Sequence, residues 1–326
     1  MAVILFLLSS FIFLGLGLYQ SNQIIISTTR SILKIDYRLD AVTRNRLAIL
    51  FAKLGLPATA LSGMRLSLDG ETAVKLAATL PKRVVLSVQD KEIIWQTVAG
   101  LNQPTALWQN LKFAPNTTFA YFEIATPIDF LETTTSFPQA LADWLMGSLV
   151  NLQRPALFFS QRENGIDFLL VAKITQSEVL EKQLGELKEL VNTGGITTLE
   201  TASINQNPIY NLIFSGKDTT SAIYSVAAIN GYLLLASSED LIRQSVAVSQ
   251  NNDSAFSHLP RITRLAKSHP TGSFVVFIQN PVLFLKDSQL LTKFKISKRL
   301  LAYNFDQLEN IIVVGNGQII GYLILK

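Results

Sequence analysis

Three Asn-Gly dipeptides, each set between two runs of β-forming residues, constrain the fold of this chain more than any other feature. Phe158-Phe159 leads into Asn164-Gly165, and Phe168 to Val171 leads out. Ile223 to Ile229 leads into Asn230-Gly231, and Tyr232 to Ala236 leads out. Ile311 to Val314 leads into Asn316-Gly317, and Ile319 to Leu325 leads out. Asn-Gly accepts positive φ at both central positions of a tight turn, which suits a hairpin between two right-twisted strands. Arg83 to Val88 and Glu92 to Val98, joined around Asp90-Lys91, read as a fourth hairpin.

Helical patterns fall between the hairpins. Ser177 to Val191 places Leu180, Leu184, Leu187 and Val191 on one stripe, against Glu181, Lys182, Glu186 and Lys188, and Thr175 with Glu178 forms a capping box. Ser238, followed by Glu239 and Asp240, opens a helix running to about Val248, with the acids where the helix dipole favours them. Pro127 to Leu149, interrupted at Pro138, and Pro281 to Phe294 read as two more. The order also repeats. Thr117 to Phe122 followed by Pro127 to Leu131 resembles Gly272 to Phe277 followed by Pro281 to Leu285. Each copy continues into a helix and an Asn-Gly hairpin, which places related helix-strand-hairpin units near 113–175 and 268–326. The expected fold class is α+β: antiparallel hairpins packed with helices over one face, preceded by one N-terminal transmembrane helix.

That membrane segment is Ala2 to Leu18, an apolar run whose only polar members are Ser9 and Ser10. At about 1.5 Å per residue, a helix of this length is just able to cross a hydrocarbon core of about 30 Å. An anchor that stays in the bilayer over residues 1–20 is the reading adopted. A secretory segment cleaved after the small residues Gly15 and Gly17 is its competitor. No Lys or Arg precedes the run, whereas Arg30, Lys34, Arg38, Arg44 and Arg46 follow it. The positive-inside rule alone would keep the body in the cytoplasm. Export, with the body periplasmic or extracellular, is nevertheless the orientation expected. Residues 21–46 read as a basic juxtamembrane helix or linker, with Ile32, Leu33, Leu39, Val42 and Ile49 on one face. Arg30, Lys34 and Arg38 are its candidate contacts to anionic lipid, beside the bilayer contact of residues 2–19. The α+β body then covers 47–326.

The hairpin Tyr224 to Glu239, with Ala227-Ala228-Ile229-Asn230-Gly231-Tyr232-Leu233-Leu234-Leu235-Ala236-Ser237 at its centre, resembles a bacterial family called domain of unknown function 3352. Ala114-Pro115-Asn116-Thr117-Thr118-Phe119-Ala120-Tyr121 is similar to that family's Pro-x-x-Thr-x-x-Tyr opening, and Ala255-Phe256 through Gly272-Ser273-Phe274 to its lead into the next strand. The resemblance covers about residues 110–326. It implies a membrane-anchored protein facing the periplasm or exterior, with no assigned activity and no catalytic residues to carry over.

Composition matters most for what the chain can do chemically. Cys is 0 and His is 2, which excludes thiolate metal sites, cysteine nucleophiles and disulfide scaffolds. His258 and His269 each precede a proline-containing loop, without a second ligand at metal spacing, and read as surface or capping residues. Gly216-Lys217 lacks the upstream glycine of a phosphate loop, and Asp218 stands where Ser or Thr would be needed. Gly15-Leu16-Gly17 lies inside the apolar run. Ser31-Ile32-Leu33-Lys34 spells S-x-x-K, with neither S-D-N nor K-T-G downstream. Glu123, Asp129, Glu132 and Asp167 are candidate carboxylates on strands or at helix starts, read as capping or solvated groups. Trp95 and Trp108 are the aromatics whose exposure would count as a ligand signal. No catalytic, cofactor-binding or metal residue is assigned, and no nucleic-acid patch is visible in a net charge of +4. The expected function is a non-catalytic binding or structural module of a bacterial cell envelope. An extracytoplasmic hydrolase-type enzyme using Ser or carboxylates is the alternative.

Overall fold

A computed structural model describes residues 23–29, 32–55, 64–67, 83–89, 91–98, 105–124, 139–149, 152–162, 165–175, 177–193, 196–214, 222–251, 254–283, 305–315 and 318–326. The class is α+β, with antiparallel sheet and five α-helices among the described residues. The chain divides into two compact units, residues 105–275 and residues 1–104 with 276–326.

In the unit 105–275 the strands are β6 (Thr105–Ala106), β7 (Thr118–Ile124), β8 (Leu152–Arg162), β9 (Gly165–Ile174), β10 (Ile196–Ile204), β11 (Asn207–Phe214), β12 (Ala222–Ile229), β13 (Tyr232–Ala236) and β14 (Thr271–Gly272). Its helices are α2 (Gln139–Leu149), α3 (Ser177–Thr193), α4 (Glu239–Asn251) and α5 (Pro260–Ser268). Strands hydrogen-bond in the order β10-β11-β12-β13-β9-β8-β7, and β6 pairs with β14 apart from them. The expected hairpins form in register. Ile229 opposes Tyr232, so Asn230 (φ 52°) and Gly231 (φ 79°) are the two turn residues. In β8–β9, Arg162 opposes Gly165, so Gly165 already belongs to the strand. A further hairpin without any Asn-Gly signal joins β10 to β11 through Asn205 and Gln206, both with positive φ. Asn207 supports it by donating its side-chain amide to the Asn205 carbonyl at 3.1 Å.

Helices cover both faces of this sheet, not the one face expected. The register puts Glu123, Ala156, Val171 and Leu234 on one face, together with Tyr232. A 3-10 turn at Leu111–Phe113 packs there, with the Phe113 ring 4.7 Å from Tyr232, and Ser245 of α4 donates to the Phe113 carbonyl at 2.7 Å. Tyr210 lies on the opposite face, where Lys188 of α3 sits 5.4 Å from its ring. α2 joins α3 through the buried Trp144 indole, which donates to the Gln183 carbonyl at 2.8 Å. Central strands buried on both faces read as continuous apolar runs rather than alternations. Phe119 to Phe122 and Leu169 to Ala172 show this, every residue being buried.

The other unit holds β1 (Gln23–Thr29), β2 (Ile32–Arg38), β3 (Met64–Ser67), β4 (Arg83–Gln89), β5 (Glu92–Val98), β16 (Leu308–Gly315), β17 (Gln318–Leu325) and α1 (Ala41–Lys53). Its order is β16-β17-β5-β4-β1-β2-β3, and the chain passes from one unit to the other inside β15 (Phe274–Gln279). Residues 23–29 and 32–38 therefore correct the expected juxtamembrane helix or linker. They form an antiparallel hairpin whose first strand pairs with β4, so the folded body begins well before residue 47. β-Branched and aromatic residues (Ile24, Ile25, Ile26, Thr28, Thr29, Ile32, Ile35, Tyr37) prevail over the helical spacing of a few apolar positions. The helix starts only at Ala41. Asp40 caps it, its Oδ1 accepting from the Thr43 backbone N–H at 2.8 Å. Leu47, Leu50, Phe51 and Leu54 of this segment are buried, and α1 packs against β4. On β5 a period-two alternation is plain: Ile93, Trp95 and Thr97 are buried and Gln96 is exposed. Trp95 lies directly opposite Gly321, where a Cβ would fall inside the indole ring.

The opening strands of the two proposed related units are present as β7 and β15, and their hairpins as β8–β9 and β16–β17. The segments between, 125–138 and 284–304, lie outside the described residues and include most of the helices read at Pro127 and Pro281. Ala2 to Leu18 also lies outside them. Among the described residues no helix is long and apolar enough to cross a membrane.

Candidate functional site

The densest cluster of perturbed ionisable groups in the unit 105–275 is built on β7 and β8. Tyr121 and Glu123 are two apart on β7 and so share a face. Register alone would put Ala156 opposite Glu123. The neighbouring guanidinium arrives by a β-bulge. Gln153 opposes Lys173 and Ala156 opposes Val171, so Arg154 and Pro155 together stand against Ala172. Proline has no N–H for the ladder, and the extra residue bends the strand and re-aims its side chain. Arg154 takes φ 51°, and its Nη1 lies 3.5 Å from Glu123 Oε1. Asn110 steadies the bulge by donating to the Arg154 carbonyl at 2.7 Å.

Trp108 closes the cluster. Its φ of 70° turns its backbone N–H onto Glu123 Oε2 at 2.6 Å, and its indole N–H donates to the His269 carbonyl at 2.9 Å. The Tyr121 hydroxyl donates to the same Glu123 oxygen at 2.5 Å, with its ring stacked 6.0 Å from that of Trp108. Backbone strain at two non-glycine residues is thus concentrated on one carboxylate.

Glu123 is fully buried, and burial raises its proton affinity above the ordinary carboxylate range. The hydrogen bonds from Tyr121 and Trp108 and the charge of Arg154 oppose that rise without cancelling it. Burial, with the adjacent Glu123, also pushes the Tyr121 phenol well up. Glu123 Oε1 and both Nη atoms of Arg154 are buried without a hydrogen-bond partner among the described residues. A site of this kind can hold a proton and lock three backbone segments together.

Two other polar groups are ties between elements. Ser225 donates to Asn211 Oδ1 at 2.7 Å, and Asn211 donates to Glu239 at the start of α4. That bond, then Arg243, lowers the proton affinity of Glu239. Asp167 accepts from the Ser237 hydroxyl at 2.7 Å and lies 3.4 Å from Arg162.

The structure revises several residue readings. Glu123 is neither a cap nor solvated, but the centre of the node. Asp167 is buried and bonded across to the β13 end. Asp129, Glu132, Arg30, Ser31 and the Gly216 segment lie outside the described residues, and Lys34 and Arg38 lie in β2. His269 caps the end of α5, its N–H donating to Leu265, and burial lowers its proton affinity. His258 is exposed in a turn. Trp95 and Trp108 are both buried, which removes them as ligand-facing aromatics. No group of three or more metal-capable side chains occurs among the described residues. Arg154 was missed. Its sequence signal is the Arg-Pro pair set inside a strand-like run from Leu152 to Phe159.

The fold and node together define an α+β protein in which a carboxylate of raised proton affinity, Glu123, is walled into the packing. No family model matches the sequence, and no curated protein matches it. Among solved structures it is similar to two crystal forms of TP0453. Crystal form I matches with TM-score 0.40 and 9% identity, covering 67% of this chain and 79% of that one. Crystal form III matches with TM-score 0.38 and 10% identity, covering 66% and 75%. A likeness at this level carries no argument about the present chain.

Proposed function

We propose that this chain is a membrane-anchored, non-catalytic binding or structural module of a bacterial cell envelope, its body periplasmic or extracellular. Residues 2–19 hold it in the bilayer, and Arg30, Lys34 and Arg38 lie near anionic headgroups. The observation that carries this reading is the apolar run Ala2 to Leu18 set directly ahead of a folded unit that begins at Gln23. The sequence resemblance to domain of unknown function 3352 supports the same placement. Protease treatment of intact spheroplasts tests it: the body is expected to be digested, and a body protected until lysis overturns the exported orientation.

One observation favours the second reading, a hydrolase-type enzyme. A carboxylate with raised proton affinity is suited to general acid work. Here its oxygens face Tyr121, Trp108 and Arg154 rather than solvent, so a substrate would first have to displace the packing over it.

A further inference from the structure

We infer that the outward face of α1 docks onto an anionic lipid surface, which makes it a second membrane contact beside the proposed anchor. α1 is apolar on two sides. Leu47, Leu50 and Phe51 are buried on β4, yet Val42 and Ile49 are each 62% exposed on the other side. Seven residues is two helical turns, so these two side chains lie along one stripe about 10 Å apart. The fold covers the first of these apolar sides and leaves the second, the Val42–Ile49 stripe, in the open.

Charge selects the occupant. The sequence of α1, Ala41-Val42-Thr43-Arg44-Asn45-Arg46-Leu47-Ala48-Ile49-Leu50-Phe51-Ala52-Lys53, contains Arg44, Arg46 and Lys53 and no acid. All three bases are exposed, as are Asn45 and Ala52. Arg46 lies between the apolar positions along the helix, and its guanidinium Nη1 donates to the Val88 carbonyl at 3.1 Å, which holds that charge against the body at the edge of the stripe. Exposed apolar side chains interleaved with cations, and nothing anionic among them, match the boundary of a bilayer bearing anionic headgroups. A second copy of this face would bring like charges together.

The other helices make the contrast. The exposed side of α3 mixes Glu178, Lys182, Glu186 and Glu189, as an ordinary solvated helix does. α5 is basic through Arg261, Arg264 and Lys267, but its apolar residues Ile262 and Leu265 are buried. Only α1, among the described helices, shows both exposed large apolar side chains and basic residues with no acid within the helix. It also stands in the unit that follows the proposed anchor, so both contacts would engage one membrane.

The inference rests on the proposed membrane placement, and the test separates the two. The chain has no cysteine, so Val42→Cys, Ile49→Cys and the control Ile223→Cys can each carry an environment-sensitive fluorophore. Ile223 is 48% exposed in the other unit. The labelled full chain is reconstituted into phosphatidylcholine vesicles with and without phosphatidylglycerol, and quenched by nitroxide lipids. The expected result is a blue shift and quenching at 42 and 49 in the anionic vesicles, with neither at 223. Salt and the variant Arg44→Glu/Lys53→Glu should each return the labels toward water, with the docked-to-free ratio falling about fivefold for each charge removed. Labels that stay aqueous in anionic vesicles overturn the inference. So does an equal response without phosphatidylglycerol, or a blue shift in detergent that grows with protein concentration. Carbonate extraction of the same vesicles reports on the anchor alone. A chain that resists extraction with aqueous labels ends the α1 inference and leaves the anchor standing. An extractable chain whose labels enter anionic vesicles does the reverse.

Discussion

The β4–β5 region and the β7–β9 region bury comparable aromatic side chains by opposite means. On β5 the residues alternate, and the buried face is completed by a pure shape match, Trp95 lying flat over Gly321 of β17. On β7 and β8 both faces are covered, and the corresponding depth of the sheet holds a carboxylate, a phenol and a guanidinium. A sheet covered on one face can leave its polar residues to solvent. A sheet covered on both must find partners for its inward polar groups from within the fold, and the positive φ of Trp108 and Arg154 brings a backbone N–H and a guanidinium to Glu123.

The largest effect is expected where shape alone decides. Gly321→Val should destabilise its unit by about 3 kcal/mol, because the new atoms overlap the indole itself. Trp95→Ala should cost about as much through the cavity it leaves. The double variant Trp95→Ala/Gly321→Val should cost clearly less than the sum, since the valine then fills part of that cavity. Additive losses in urea unfolding would show that the two residues do not share one site.

Arg154→Met comes next. Removing the cation leaves Glu123 buried without its ion-pair partner, with an expected loss of about 3 kcal/mol at neutral pH. The loss should shrink in acid, where a protonated Glu123 no longer needs the charge. A loss independent of pH would assign Arg154 to packing alone.

The pH dependence of the wild type follows from the same node. Folded Glu123 holds its proton to a higher pH than unfolded Glu123 does. The folded chain therefore binds more protons once pH exceeds the unfolded value. Stability contributed by this group is complete below that value, falls as pH rises toward the folded value, and stays low above it. Glu123→Gln should flatten this part of the profile while costing about 1 kcal/mol for a weakened hydrogen bond. A wild-type profile that parallels the variant across the acidic range would contradict the raised proton affinity.

The smallest effects separate two hairpins of one unit. Gly231→Ala places a Cβ at φ 79° and should cost about 1 kcal/mol, although nothing lies near the new atom. Gln206→Gly relieves a non-glycine residue at φ 66° and should stabilise by up to about 1 kcal/mol. Thermal melts of both variants give opposite signs if turn conformation is the cause.

Local patterns were legible where one physical term dominates. Asn230-Gly231, the β4–β5 hairpin and the start of α4 at Ser238-Glu239-Asp240 each depend on a few neighbouring residues, and each is found where it was read. The turn at Asn205-Gln206 was not legible, because glutamine at positive φ is held by the flanking strand pairs rather than by its own preference. Residues 23–29 and 32–38 failed in the other direction, their helical spacing giving way to β-branched side chains once β4 offers a partner strand. The node was half legible. Glu123 stands out in an apolar run, but its role as the group that Tyr121, Trp108 and Arg154 surround depends on a bulge that only the β8–β9 pairing defines.

By itself, then, the sequence determined the class of fold, the four hairpins, the lack of thiol chemistry and an apolar segment of membrane-spanning length. Those properties follow from composition and from interactions within a few residues. Only the tertiary structure decided which carboxylate is buried, which faces the helices cover, and that α1 leaves Val42 and Ile49 in the open among basic residues. Burial is a property of the surroundings, and the surroundings of Glu123 and of α1 come from strands and loops far away in the chain.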